Sequence, residues 1–354
     1  MQNPERDTLP KLRGIRRSVS LNSGEIVTAS RLSEGRRLPV LMKPLVSGID
    51  LVEWAAQNRK EVEEHLLDAG GILFREFGFQ GIESFDRFLR AVCPEGLLEY
   101  TFRSTPRTRV QGKIYTSTEY PSDQHIPLHN ELAYSNVWPL RIGFYCHVRA
   151  ATGGQTPIAD SRRVYNRIDP SIRQTFVERG VMYVRNYGDL DVRWEDVFQT
   201  SDRAEVERFC RTRRIQCEWN GDRLRTRQIC QAIATHPVTG DMVWFNQAHL
   251  FHLAALRTDV REALLMSLKD ESQCPRHAYY GDGSSIEPEV IRRINEIYRE
   301  ESVAFAWQAG DLLLLDNMLT AHGRYPFTGP RRILVGMAVA CNTSGLMTPA
   351  AKEA

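Results

Sequence analysis

The sequence predicts a mainly β domain with helical insertions: a double-sheet jelly roll with helices packed outside it. Two stretches of strict alternation and one continuous apolar run carry that expectation. In residues 141–150, Ile142, Phe144, Cys146 and Val148 alternate with Gly143, Tyr145, His147 and Arg149, the period of a half-buried strand. Residues 331–341 alternate again, with Ile333, Val335, Met337, Val339 and Cys341 on one face. The opposite face carries Arg332, Leu334, Gly336, Ala338 and Ala340, small residues with one cation at the start, as expected of an interior that holds a ligand. Leu312 to Leu315 form the continuous run, punctuated by Asp316-Asn317 and Gly323.

The remaining elements follow in chain order. Residues 1–35 are polar and Arg-rich and read as an N-terminal arm. Residues 36–345 read as one domain and 346–354 as a tail. Asp50 with Glu53 reads as an N-cap and its box partner, opening a helix that ends at Gly70-Gly71. Ile72-Leu73-Phe74 is a short buried strand, and Phe85, Phe88, Leu89 and Val92 recur at helical spacing. Residues 180–187 read as a strand. Helices are expected over 202–214, 255–270 and 287–300, the last from the stripe Val290, Ile291, Ile294 and Ile297.

Composition narrows the function. With 42% hydrophobic and 25% charged residues and a net charge of +2, the chain has ordinary globular values. Nothing in it calls for a nucleic-acid or acidic-membrane partner. The seven cysteines are odd in number and widely spread, which favours a reducing cytoplasm over a disulfide framework. Arg16-Arg17 is followed by no apolar stretch, so no export signal and no membrane span are expected.

The chemistry centres on His129-Asn130-Glu131. In an extended segment, alternate residues point to one side, so imidazole and carboxylate can reach one ion together. His322, in a turn after the Leu312 run, is the expected third ligand. Two histidines and one carboxylate leave the other positions of the ion open, the geometry of non-haem iron(II) oxygen chemistry. Arg332, on the strand after His322, can clamp a carboxylate bidentately. The Gly153-Gly154-Gln155-Thr156 turn delivers a hydroxyl donor. Together they make a site for iron and a dicarboxylate.

The pattern resembles the iron(II)/2-oxoglutarate dioxygenases of the taurine dioxygenase (TauD/TfdA) type. The resemblance spans roughly residues 70–341 and rests on Ser117-Thr-Glu-Tyr-Pro, Ile126-Pro-Leu-His-Asn-Glu, Gly153-Gly-Gln-Thr-Pro-Ile-Ala-Asp-Ser, Val243-Trp-Phe-Asn-Gln-Ala-His-Leu-Phe-His and Leu314-Leu-Asp-Asn-Met. These stretches are most similar to a branch that includes the syringomycin-pathway aspartyl hydroxylase. The resemblance implies a double-stranded β-helix of the clavaminate synthase-like kind. It also implies His129, Glu131 and His322 as iron ligands, with Arg332 and Thr156 on 2-oxoglutarate, and dioxygen as the oxidant. Glu131 replaces the commoner Asp, and its presence excludes the halogenases, which lack this carboxylate. Gly336 stands where taurine dioxygenase carries a second arginine for its sulfonate, so a different substrate is implied.

By the same analogy the substrate is an amino acid, free or tethered to a peptidyl carrier protein, hydroxylated at an unactivated C–H with release of succinate and CO2 in natural-product biosynthesis. Arg103 and Glu119 are candidates for its carboxylate and amine. His125 and Asn246, the latter beside Gln247, are further candidates to face the cavity. His249 and His252 have a spacing that suits a metal on a helix, but their apolar surroundings favour core roles. His147 lies on the face of its strand opposite the apolar set, His65 on a charged helix, and His236 and His277 have no partner pattern. Desaturation or epoxidation is an alternative outcome of the same iron chemistry. A zinc hydrolase is the alternative of another class; it requires a general base near the metal and gives Arg332 no task. A non-catalytic jelly-roll binding protein would have no reason to keep the ligands and the arginine together.

Overall fold

In the computed structural model, the described residues are 26–33, 35–100, 102, 107–188, 190–268 and 271–346. Most of the expected arm, all of the expected tail but residue 346, and Arg103 therefore lie outside them. One part of the arm is built into the fold: Val27–Arg31 pairs with Val40–Pro44 at the edge of the main sheet.

The main sheet has nine strands. It runs in the order Val27–Arg31, Val40–Pro44, Gly71–Phe74, Leu312–Asp316, Val137–Val148, Arg332–Asn342, Ile114–Thr116 and Arg109–Gln111, with Gly345–Leu346 paired beside Arg332–Asn342. Its neighbours are antiparallel except Val40–Pro44 with Gly71–Phe74. Three short strands form a second sheet over one end: Ile126–His129, Thr320–Arg324 and Ile158–Asp160. This is the jelly roll that the alternation predicts, with helices outside it.

The main sheet buries both faces, which corrects the half-buried reading of residues 141–150. One face carries Phe144, Ile142, Ile333, Val335 and Met337 in a core turned toward the small sheet. The other carries Tyr145, Leu334 and Ala338 against Phe85, Phe88 and Leu89 of the helix Ile82–Val92. The small-residue face is therefore a seat for a helix and does not line a ligand cavity. Gly336 and Gly143 sit opposite each other across the strand pair. A Cβ on either would meet Leu89, at 2.3 Å from Cδ1 and 2.6 Å from Cδ2 respectively, so both must stay bare for Leu89 to enter.

Two further details differ from the sequence reading. The helix opened by Asp50 is broken: Asp50 caps Val52 and Glu53, the first helix is Leu51–Gln57, and Asn58 returns its amide to the Trp54 carbonyl before Arg59–Ala69 begins. Gly70 closes it in the left-handed conformation, as expected. His322 lies within the strand Thr320–Arg324 and not in a turn. The turn is one step earlier, where the Asp316 carboxylate accepts from the Met318 and Leu319 amides and carries the chain from the large sheet to the small one.

A third core lies on the four-stranded sheet Gln216–Asn220, Arg223–Cys230, Val181–Tyr187 and Arg276–Tyr280. It is covered by the helices Arg203–Thr212 and Pro288–Glu301, and the stripe Ile291, Ile294 and Ile297 is fully buried there. Among the described residues, no helix is long and apolar enough to cross a membrane.

Candidate metal centre

The small sheet sets the two histidines face to face. His129 ends its strand directly opposite His322, and their ring centroids are 4.6 Å apart. Glu131 follows on the same side, as the spacing predicts. Its backbone is held by a reciprocal clasp: its N–H donates to Asn317 Oδ1 at 2.7 Å, and Asn317 Nδ2 donates back to its carbonyl at 2.9 Å. Between them, Asn130 Nδ2 donates to the Asn317 carbonyl and to Ser161 Oγ, and Gln247 Nε2 donates to the Asn130 carbonyl. The Asp-Asn turn that crosses between the sheets thus also fixes the second ligand strand.

One ligand atom from each of His129, Glu131 and His322 falls within 4.8 Å of the other two. Among the described residues this is the cluster with the make-up of a metal site. The donor chemistry fits iron(II). His129 Nδ1 lies 2.8 Å from the Pro127 carbonyl; it must be the protonated nitrogen there, which leaves Nε2 as a lone-pair donor. His322 Nδ1 is buried with no partner. Burial lowers the pKa of both rings, and that of His322 well below the ordinary range. Both are therefore neutral, as metal ligands must be. The Glu131 carboxylate, with Oε2 2.5 Å from Arg107 Nη2, completes the set.

Beside these groups lies a cavity bounded by Ser117, Phe144, Thr156, Arg324, Arg331 and Ile333. Among the described residues, its lining includes His129 and His322 and no carboxylate. A hydrolytic zinc site would need a general base, and the described lining residues supply none. Thr156 is buried, and its hydroxyl oxygen accepts from Trp307 Nε1 at 3.1 Å. The hydroxyl proton stays free to donate into the cavity. Gly153 makes the approach to Thr156: it has φ +68°, and a Cβ there would lie 2.2 Å from the Pro326 carbonyl oxygen.

Of the Arg331-Arg332 pair, the cavity residue is Arg331. Arg332 is exposed, whereas Arg331 lines the cavity and donates from Nε to the Gly154 carbonyl at 3.1 Å. The cause is parity: Arg331 is in phase with Ile333 and Val335, which face the small sheet, while Arg332 is in phase with the Leu334 and Gly336 face. The pairing with Val137–Val148 also shifts register between Arg332 and Ile333. Burial, with Arg324 nearby, brings the Arg331 pKa down to about 10. It stays a cation at neutral pH, partly desolvated and close to like charge, and an anion entering the cavity would relieve both. The position four residues on from Arg331 is the buried Val335, and Gly336 faces Leu89 on the other side of the strand.

The expected substrate residues fare differently. Glu119 is exposed and accepts from Thr116 Oγ1 and the Thr108 N–H, which hold its carboxyl below the usual range; it braces its own loop. Asn246 is wholly buried and internally satisfied, donating to the Ala232 carbonyl and accepting from the Ala248 N–H. His125 lies at the exposed rim, 5.5 Å from the Tyr325 ring. His249 Nε2 donates to the Leu128 carbonyl and the ring stacks on Tyr298, and His252 packs on His277. His236 does have a partner, the buried Asp316 carboxylate at 3.0 Å. Two cavity residues were missed. Arg324 shares the phase of His322, a signal the sequence carried. Arg107 precedes the motif and had none.

Comparisons with known proteins converge on one group. The family described as taurine catabolism dioxygenase TauD, TfdA family matches residues 36–338. The dapdiamide synthesis protein DdaC of Enterobacter agglomerans is 40% identical over 309 residues, covering 84% of this chain and 93% of that protein. A clavaminate synthase-like protein of Arabidopsis thaliana is 31% identical over 295 residues, covering 78% and 85%. Among solved structures, PvcB, an Fe, alpha-ketoglutarate dependent oxygenase from an isonitrile synthetic pathway, superposes with a TM-score of 0.53 at 16% identity, over 94% of this chain and 99% of its own. AAD-2 in complex with Mn(II) and N-oxalylglycine gives 0.53 at 15% identity, over 92% and 99%. At such identities the structures speak for the fold.

Proposed function

The chain belongs to the TauD, TfdA family and is a 2-oxoglutarate-dependent dioxygenase working with iron(II) and dioxygen, and from that premise we propose that it oxidises an unactivated C–H of an amino acid or amino-acid-derived molecule in natural-product biosynthesis. Hydroxylation, with release of succinate and CO2, is the proposed outcome. In this reading His129, Glu131 and His322 hold the iron, and Arg331 with Thr156 receives the distal carboxylate of 2-oxoglutarate. The observation that carries it is the common cavity: His129, His322, Thr156 and Arg331 all border it, and Glu131 offers a carboxylate oxygen within 4.8 Å of both imidazoles. Support for the biosynthetic setting is the 40% identity to a protein of dapdiamide synthesis.

The bound iron with 2-oxoglutarate and dioxygen supplies the oxidising power. The residues of this chain do the rest. His129 and His322 offer neutral nitrogen donors. Thr156 and Arg331 orient the dicarboxylate, and Phe144, Ile126 and Ile333 give the cavity apolar walls. No proton-transferring side chain is needed at the reacting carbon, in keeping with the lining.

The test is mass spectrometry of free and carrier-tethered amino acids after incubation with iron(II), 2-oxoglutarate and ascorbate. A gain of one oxygen, matched by succinate, supports the proposal, and its appearance on the tethered form alone identifies a peptidyl carrier protein as partner. Loss of two hydrogens, or turnover only of substrates that are not amino-acid-derived, would contradict it.

A further inference from the structure

Arg107 stands out in the cavity because a buried cation beside a divalent-metal site is repelled by the metal. It is 5% exposed, lies over the Tyr100 ring at 4.5 Å, and gives Nη2 to Glu131 Oε2 at 2.5 Å. Its Nε and Nη1 are buried with no partner. A guanidinium kept purely to brace the fold would satisfy more of its donors. Among the described residues, the hydrogen-bond acceptor of Arg107 is a carboxylate of the proposed metal cluster.

Glu131 gives this pairing a purpose. Glutamate has one methylene more than aspartate and can swing both carboxylate oxygens onto an ion. Two-oxygen coordination would occupy one of the positions that a chelating keto acid and dioxygen need. With Oε2 tied to Arg107, Oε1 is the oxygen left without a charged partner. We propose that Arg107 is a positioning residue that holds Glu131 to one-oxygen coordination and so keeps the metal open to 2-oxoglutarate. The proposal rests on the reading of His129, Glu131 and His322 as ligands.

The experiment separates metal binding from co-substrate binding. Mn(II) alone is titrated by calorimetry into wild-type protein and Arg107→Met, and 2-oxoglutarate is then titrated anaerobically into each Mn(II)-loaded protein. Arg107→Met should bind Mn(II) at least as tightly as wild type, since a like charge is gone and a second oxygen is freed. Its affinity for 2-oxoglutarate should fall tenfold or more. Arg107→Lys, which keeps a cation on Glu131, should stay within about threefold of wild type for 2-oxoglutarate, and it carries the test if the Met variant does not fold. A parallel loss of both affinities in Arg107→Met would mark a merely structural role and overturn the proposal, as would unchanged 2-oxoglutarate binding or an equal loss in the lysine variant. If wild-type protein bound no Mn(II), the ligand assignment itself would be what failed.

Discussion

At the scale of single residues, the centre rests on a backbone whose hydrogen bonds are tightly satisfied. The backbone around Glu131 is clasped by Asn317, and Asn130 is tied to Ser161. Among the described residues, groups left without a partner there include His322 Nδ1 and Arg107 Nε and Nη1. The sequence named four residues of the centre, since alternation and a short motif put His129, Glu131, His322 and Thr156 together. It missed the arginine by one position, although the signal was present: Ile333, Val335 and Met337 are the apolar phase, and only Arg331 shares it. Two adjacent arginines with a register shift beside them made the neighbour plausible. Replacing Arg331 with Ala should weaken 2-oxoglutarate binding roughly tenfold to a hundredfold, the cost of losing charge-assisted bonds. Thr156→Val should cost about fivefold, one neutral hydrogen bond, and Arg332→Ala almost nothing. Titration of the metal-loaded, oxygen-free protein measures all three, and a large effect at Arg332 would sink the assignment.

At the scale of elements, the small-residue face was legible as a pattern and misread as a purpose. A row of Gly and Ala can face a ligand or a helix, and sequence spacing alone does not say which. The helix Ile82–Val92 decides it, because its Phe85 and Leu89 fill the groove over Gly143 and Gly336. Gly336→Val should therefore cost about 1–3 kcal/mol of stability through overpacking, read as a lower denaturant midpoint. Turnover per folded molecule should survive. A variant of wild-type stability with altered substrate preference would instead put this face back in the active site. The break at Asn58 was similarly invisible, since a side-chain amide closing on Trp54 leaves no mark in the hydrophobic period.

At the scale of the whole molecule, long-range ion pairs join what the chain separates. Glu301, buried at the end of Pro288–Glu301, accepts from Arg163 and Arg167 in the helix Ser161–Arg167 and from Arg36 near the first strands. Burial alone would raise its carboxyl; the bonds from Arg163 and Arg167, with Arg36, overrule it and hold it at about 2. A depressed carboxylate stabilises the fold above its unfolded pKa, near 4.5, and that contribution is lost as pH falls through about 2. Glu301→Gln should lose about 1–2 kcal/mol at neutral pH, because the three guanidinium groups it releases are partly exposed and regain water. Its stability should also change less than that of wild type between pH 4.5 and 2; equal slopes in acid denaturation would refute the role. None of this network could be foreseen, because ion pairs between distant segments have no periodicity.

In the proposed centre, neighbouring strands of the small sheet bring His129, Glu131 and His322 to one ion that 2-oxoglutarate chelates. Anaerobic addition of iron(II) and 2-oxoglutarate, followed by visible absorption, tests it most directly. Wild-type protein should develop the weak charge-transfer band of a keto acid bound to iron(II), absent with either component alone, and His129→Ala and His322→Ala should not. A band that persists in either histidine variant, or never forms in the wild type, would contradict the account.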